Sequence, residues 1–195
     1  MIPTMVLLAG PNGAGKSTLY ETRIAPSFGA PFINADLIQR GELDDPSPEA
    51  AYRALEIAAK RREEHLAQGK SFATETVFSH PSKLELVNRA KALGFTVILF
   101  HVGVDKADLS VERVRERVVE GGHPVPEQKI RERYDRNGPL IREAMLLSSR
   151  GFVFDNSRLN EPPERIMAFT DGRVTFVKPL LPAWTLEIYR QDLLR

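Results

Sequence analysis

Gly10-Pro11-Asn12-Gly13-Ala14-Gly15-Lys16-Ser17-Thr18 follows the apolar run Met5-Val6-Leu7-Leu8-Ala9 and precedes a segment with helical character from Lys16 onward. It matches the pattern G-x-x-x-x-G-K-[ST] in full, in the strand–loop–helix setting where that pattern holds phosphate. The glycines let the backbone curl so that successive N–H groups face phosphate oxygens. Lys16 can then reach the β- and γ-phosphates, and the Ser17 hydroxyl can take one position on Mg²⁺. The helix N-terminus adds partial positive charge at the same spot. The stretch Gly10 to Thr18 is therefore expected to bind a nucleoside triphosphate, with Ser17 as the metal ligand.

The bulk of the chain narrows the field. At 195 residues it suits a single α/β domain over 1–195, and 42% hydrophobic residues supply a core. Net charge is +1 with acids and bases scattered, so no footprint for nucleic acid is visible. Lys60-Arg61-Arg62 is followed at once by Glu63-Glu64 and reads as a solvated helix face. The absence of cysteine excludes disulfides, thiolate metal sites and a cysteine nucleophile. The first apolar run is short and leads straight into the glycine-rich loop, unlike a signal peptide. No apolar segment approaches the roughly 20 residues that span a bilayer. A soluble cytoplasmic protein is the expectation.

Apolar runs alternate with helical patterns, which predicts a mostly parallel sheet flanked by helices in three layers. Strands are expected at 31–34, 71–75 and 151–155, and at Phe95–Val102, whose length and β-formers place it centrally. Helices are expected at about 49–67, 81–93, 107–120 and 126–149, the first two stopped by Gly69 and Gly94. Gly121-Gly122 separates the third and fourth helices and suits a moving lid. Residues 165–169 and 173–177 flank Asp171-Gly172, a hairpin turn signal. A short helix near the end is expected to pack on the domain.

The same loop occurs in transporter ATPases, but neither their Leu-Ser-Gly-Gly-Gln-type signature nor four apolar residues before Asp-Glu is present. Nor is the Asn-Lys-x-Asp segment of a GTPase. Compact kinases remain, and further segments agree with them: Asn34-Ala35-Asp36, Phe72-Ala73-Thr74-Glu75-Thr76, and Arg113-Val114-x-x-Arg117-Val118 running into Gly121-Gly122-His123-Pro124. Ile130-x-x-Arg133-Tyr134 and Asp155-Asn156-Ser157 follow in order. On these residues the chain up to about Ser157 resembles the zeta-toxin family, in particular its short, ATPase-like branch. The resemblance implies a P-loop NTPase fold and an ATP- and Mg²⁺-dependent kinase. The best-known family members phosphorylate a sugar hydroxyl of UDP-N-acetylglucosamine.

Individual residues carry distinct expectations. Asp36, at the carboxyl edge of the second strand, can accept a proton from an acceptor hydroxyl. It matches the family's catalytic base, although Asp is also a favoured helix cap. Asn34 adds to the polar edge. Glu75 and Thr76 close the third strand at the same edge, where the family uses an acidic residue; Glu75 can hold the outer sphere of Mg²⁺, bind the acceptor's hydroxyls, or be a buried, hydrogen-bonded structural residue. Beyond them Ser79-His80 departs from the Ser-Gly of family relatives, which puts that end of the acceptor pocket in question. Arg113 and Arg117 are one helical turn apart, beside a buried stripe of Val111, Val114 and Val118. They, or Arg133, can neutralise charge on a transferring phosphoryl group. Each can equally be a surface arginine paired with Glu112, Glu116 or Glu132. Which of Arg117, Arg133 and His123 takes the role of the larger toxins' second arginine stays open. Asp155-Asn156-Ser157 reads as an adenine or ribose contact or as an Asx turn. His101 reads as a satisfied core histidine and Trp184 as a packing anchor.

The acceptor stays open too. A nucleoside, a dinucleotide, an antibiotic or a polynucleotide end would use the same machinery, the last disfavoured by the near-neutral charge. A regulatory nucleotide-binding module acting through a protein partner is the alternative of another class, but it has no need of a base at Asp36. Whether a separate antitoxin protein covers the loop is not legible.

Overall fold

The computed structural model describes residues 2–119 and 125–194. Strands β1 (Thr4–Ala9), β2 (Phe32–Ile33), β3 (Phe72–Thr76), β4 (Thr96–Gly103), β5 (Arg150–Asp155), β6 (Glu164–Thr170) and β7 (Arg173–Val177) form one sheet. Its order is β2-β3-β1-β4-β5-β6-β7. The first five strands are parallel, and β6 and β7 add antiparallel at one edge. The long apolar run at β4 does lie centrally, between β1 and β5.

Each parallel crossover carries a helix. α1 (Lys16–Leu19) continues as a π-helical turn over Tyr20–Ile24, and α2 (Ala35–Ile38) does so over Gln39–Leu43. α3 (Pro48–Ala67), α4 (Ser82–Ala92), α5 (Ala107–Val119), α6 (Glu127–Leu147) and α7 (Ala183–Tyr189) complete the layers. Local chemistry sets their starts. Ser47 Oγ accepts from the Ala50 N–H at 3.1 Å ahead of Pro48, the first helical residue of α3. Asn34 Oδ1 accepts from the N–H groups of Asp36 and Leu37 at 2.7 and 3.3 Å, so Asn34, and not Asp36, is the cap of α2.

The period of two along β1 divides the core between the sheet faces. Met5, Leu7 and Ala9 join Leu99, Val153, Ile141 and Trp184 on one face. Val6 and Leu8 join Leu19, Tyr20, Ile24 and Phe154 on the other. With both faces of β1 covered, its carboxyl end is the fixed point from which the loop of residues 10–15 departs. The valine stripe of α5 is shorter than expected. Val111 and Val114 pack on Ile130, whereas Val118 is 36% exposed.

His101 and Trp184 have the structural roles the sequence suggests. The buried His101 ring is hydrogen-bonded through Nδ1 to the Tyr189 hydroxyl at 2.7 Å, and Trp184 packs edge-on against it. Trp184 Nε1 donates to Asp155 Oδ1 at 2.9 Å, fastening α7 to the end of β5. Burial, assisted by the nearby positive charge of Lys16, holds the His101 imidazole down at about 3, against 6.5 ordinarily. The folded chain thus keeps this ring neutral, while the unfolded chain protonates it as pH falls through about 6.5. Stability is expected to fall as pH drops below that value, before most carboxylates titrate. Urea midpoints between pH 7 and 5.5 should decline in the wild type and decline less in His101→Gln. Equal slopes would contradict this.

Candidate nucleotide and acceptor site

The loop of residues 10–15 leaves β1 with the backbone in a form that side chains oppose. Gly10 has φ +151, and a Cβ there would run into the Val102 carbonyl of β4. Gly15 has φ +88, and a Cβ would stand 2.5 Å from Asn156 Nδ2. These two glycines let the loop fold tightly over the sheet edge and turn directly into α1. Lys16, only 8% exposed, donates from Nζ to the carbonyls of Gly10 and Pro11 at 3.1 and 3.0 Å. Burial lowers its pKa from the ordinary lysine value; the charges of Glu75 and Asp36 oppose that shift and Arg117 adds to it. A buried cation of this kind is completed by an anion such as phosphate.

A cleft of about 1060 Å³ opens over the loop at the carboxyl edge of the sheet. Asn12, Gly13, Gly15, Lys16, Ser17 and Thr18 line its floor, whereas Gly10 and Ala14 are buried beneath. Pro11 faces away, into a separate cavity of about 640 Å³ beside His101, Tyr134 and Trp184. Ser17 Oγ donates to Glu75 Oε2 at 2.8 Å. That hydroxyl and carboxylate form the oxygen donor set a hard divalent cation favours, and they fit Mg²⁺ shared with phosphate.

Asp36, in the first turn of α2, faces the loop across the cleft, and Arg117 NH1 of α5 stands 3.7 Å from its Oδ2. Arg113, one turn earlier, lines the same cleft, as do Arg133 of α6 and Glu75 and Thr76 of β3. Arg113 and Arg117 make no ion pair with Glu112, Glu116 or Glu132 among the described residues. Arg113 NH1 and Arg117 Nε are buried without a hydrogen-bond partner. Burial lowers the pKa of Arg113, with Glu116 and Asp155 opposing. Unsatisfied guanidinium nitrogens beside a phosphate loop suit an anionic ligand. Thr76 Oγ1 accepts from the Phe78 N–H at 3.1 Å, bending the chain at the end of β3. Asn34 is buried, with its Oδ1 committed to the α2 cap. Gly121, Gly122 and His123 lie outside the described residues.

Two features escape the sequence. Asn156, read as an adenine or ribose contact or an Asx turn, lines the cleft and commits its amide to the loop: Nδ2 donates to the Ala14 carbonyl at 2.9 Å. Neighbouring Ser157 Oγ donates to Asp155 Oδ1 at 2.6 Å. Nothing local marks a contact between residues so far apart in the chain. The reading of Lys60-Arg61-Arg62 as a solvated face holds for the first two only. Lys60 and Arg61 pair with Glu64 and Glu42 at the surface, but Arg62 lines the cleft. Its helical spacing from Tyr52 and Leu55, ten and seven residues earlier, is the signal that could have found it.

These elements, a glycine loop between a central parallel strand and a helix with ligand groups converging at the carboxyl edge, define a P-loop NTPase, a nucleotide-binding fold. Residues 5–140 match the family model for an AAA domain, and the chain belongs to that family. An uncharacterized protein of Haemophilus influenzae is 26% identical over 136 residues, 66% of this chain and 91% of its own. The fold is similar to AvrRxo1-ORF1:AvrRxo1-ORF2, solved with ATP (TM-score 0.65, 16% identity, 97% of this chain). This chain spans 63% of the length of that one. It is also similar to the PezAT toxin–antitoxin system of Streptococcus pneumoniae (TM-score 0.61, 16% identity, 95% of this chain and 78% of that one). Among the described residues no helix is long and apolar enough to cross a membrane.

The Asn156 brace gives a direct test. Asn156→Ala removes one hydrogen bond from the loop, and ATP affinity measured by calorimetry is expected to drop up to about tenfold. Unchanged affinity would mean the loop holds its shape without that bond.

Proposed function

We propose that the chain is an ATP-dependent kinase that phosphorylates a hydroxyl of a small molecule, with UDP-N-acetylglucosamine as the first acceptor to test. The observation that carries this reading is the placement of Asp36 across the cleft from Lys16, with Arg117 beside it at 3.7 Å. A nucleotide-binding module needs the loop; it does not need a carboxylate facing it across an open acceptor space.

ATP is the phosphoryl donor, its phosphates held by the loop N–H groups and by Lys16. Mg²⁺, held by Ser17 with Glu75 behind it, would draw charge from the phosphate oxygens. Asp36 accepts the proton of the acceptor hydroxyl as that oxygen bonds to the γ-phosphorus and the bond to ADP breaks. Arg117 and Arg113 neutralise charge on the moving phosphoryl group, and Arg133 lines the same cleft. Glu75 and Thr76 border the acceptor space. The likeness to PezAT and AvrRxo1, both solved as two-component complexes, supports a further reading in which a separate antitoxin-like protein covers this cleft.

Incubation with ATP, Mg²⁺ and UDP-N-acetylglucosamine is expected to add one phosphate to the sugar nucleotide, read by mass spectrometry. Arg117→Ala should lower kcat by about 10³ while ATP binding changes little. No phosphate on this or any hydroxyl acceptor would sink the kinase reading.

A further inference from the structure

Arg62 of α3 and Lys83 of α4 line the same cleft as Glu75 and Thr76. Both are partly buried and neither has an ion-pair partner within 4 Å among the described residues. Their neighbours behave otherwise. Lys60 pairs with Glu64, Arg61 with Glu42 at 2.5 Å, and Arg89 of α4 with Glu63 at 2.5 Å. Glu63, the adjacent carboxylate whose charge supports Arg62, is thus turned to the surface pair with Arg89. Burial lowers the pKa of both cations, and Arg62 pushes Lys83 down further. Two like charges sharing a partly dry wall cost stability unless an anion joins them.

Apolar side chains line the cleft as well. Tyr52 and Leu55 are 70% and 56% exposed yet border the cleft, on the same helical face of α3 as Arg62. Phe78, from the chain after β3, and Leu86, from α4, line it too. A cleft that presents both apolar side chains and two unpaired cations fits an acceptor with an anionic group apart from its reacting hydroxyl.

We propose that Arg62 and Lys83 form an anion subsite that seats a phosphate or carboxylate of the acceptor, away from the hydroxyl that receives the phosphoryl group. The subsite rests on the kinase reading above and narrows its substrate class. Uncharged nucleosides and neutral antibiotics become poor acceptors, and phosphorylated sugars or nucleotides become good ones.

Two arms test it. The first compares charged and uncharged pairs: N-acetylglucosamine 1-phosphate with N-acetylglucosamine, and AMP with adenosine, alongside UDP-N-acetylglucosamine. Transfer should favour the charged members. The double variant Arg62→Gln/Lys83→Met should raise their KM about 10–100-fold with kcat and ATP affinity little changed. Arg61→Gln, which loses only the exposed pair with Glu42, should match the wild type. The second arm needs no acceptor. Inorganic phosphate is titrated into protein saturated with Mg²⁺ and a non-hydrolysable ATP analogue, followed by NMR. Saturable shifts are expected at amides around Arg62 and Lys83, and are lost in the double variant. No saturable shift there, equal shifts in the double variant, or equal use of the uncharged acceptors would overturn the subsite. Saturable phosphate binding with no transfer to any acceptor would instead overturn the kinase reading and leave the subsite standing.

Discussion

The structure turns on one buried ammonium group. Lys16 sits at the carboxyl end of the central strand β1, hydrogen-bonded to two carbonyls of the loop it follows. Withdrawing that charge from water is unfavourable, and the surroundings are arranged around it. Glu75 and Asp36 stand close enough to oppose the shift of its pKa, and Arg117 close enough to reinforce it. Gly10 passes close to the Val102 carbonyl, and Asn156 Nδ2 donates to the Ala14 carbonyl.

Strand order brings the other groups to that point. β1 lies between β3 and β4, and the parallel register sets Glu75 beside Leu8 and Thr76 beside Ala9. β3 therefore ends where the loop begins, and Glu75 meets the first turn of α1 at Ser17. β5 pairs Asp155 with Gly103, which delivers Asn156 to the loop from the other side. α2 and α5 close the cleft with Asp36 and Arg117 face to face. A parallel sheet stacks strand ends at one edge, so residues from five segments converge without a dedicated scaffold.

Much of this was legible because it is local. The loop motif carries its own geometry, the apolar run of β1 marks a strand ahead of it, and Asp171-Gly172 marks the β6–β7 hairpin. The convergence of Asp36, Glu75 and Arg117 was foreshadowed by their positions at strand ends and on one helix face. What the sequence hid depends on long-range placement. Asn156 bonds a carbonyl 142 residues away, and no pattern encodes that. Arg62 sits inside a run of charges whose other members face solvent, and only the position of α3 against the cleft separates it from them. Asn34 and Asp36 differ by two residues, yet Asn34 takes the cap and leaves the Asp36 carboxylate facing the loop across the cleft.

In the proposed mechanism phosphate binding and hydroxyl activation are separate tasks, taken by Lys16 and Asp36. Measuring ATP affinity and acceptor-dependent ADP release side by side in Asp36→Ala and Lys16→Ala addresses it most directly. Asp36→Ala should bind ATP as the wild type does and release no ADP in response to acceptor, while Lys16→Ala should lose both. Near-normal turnover in Asp36→Ala would contradict the assignment.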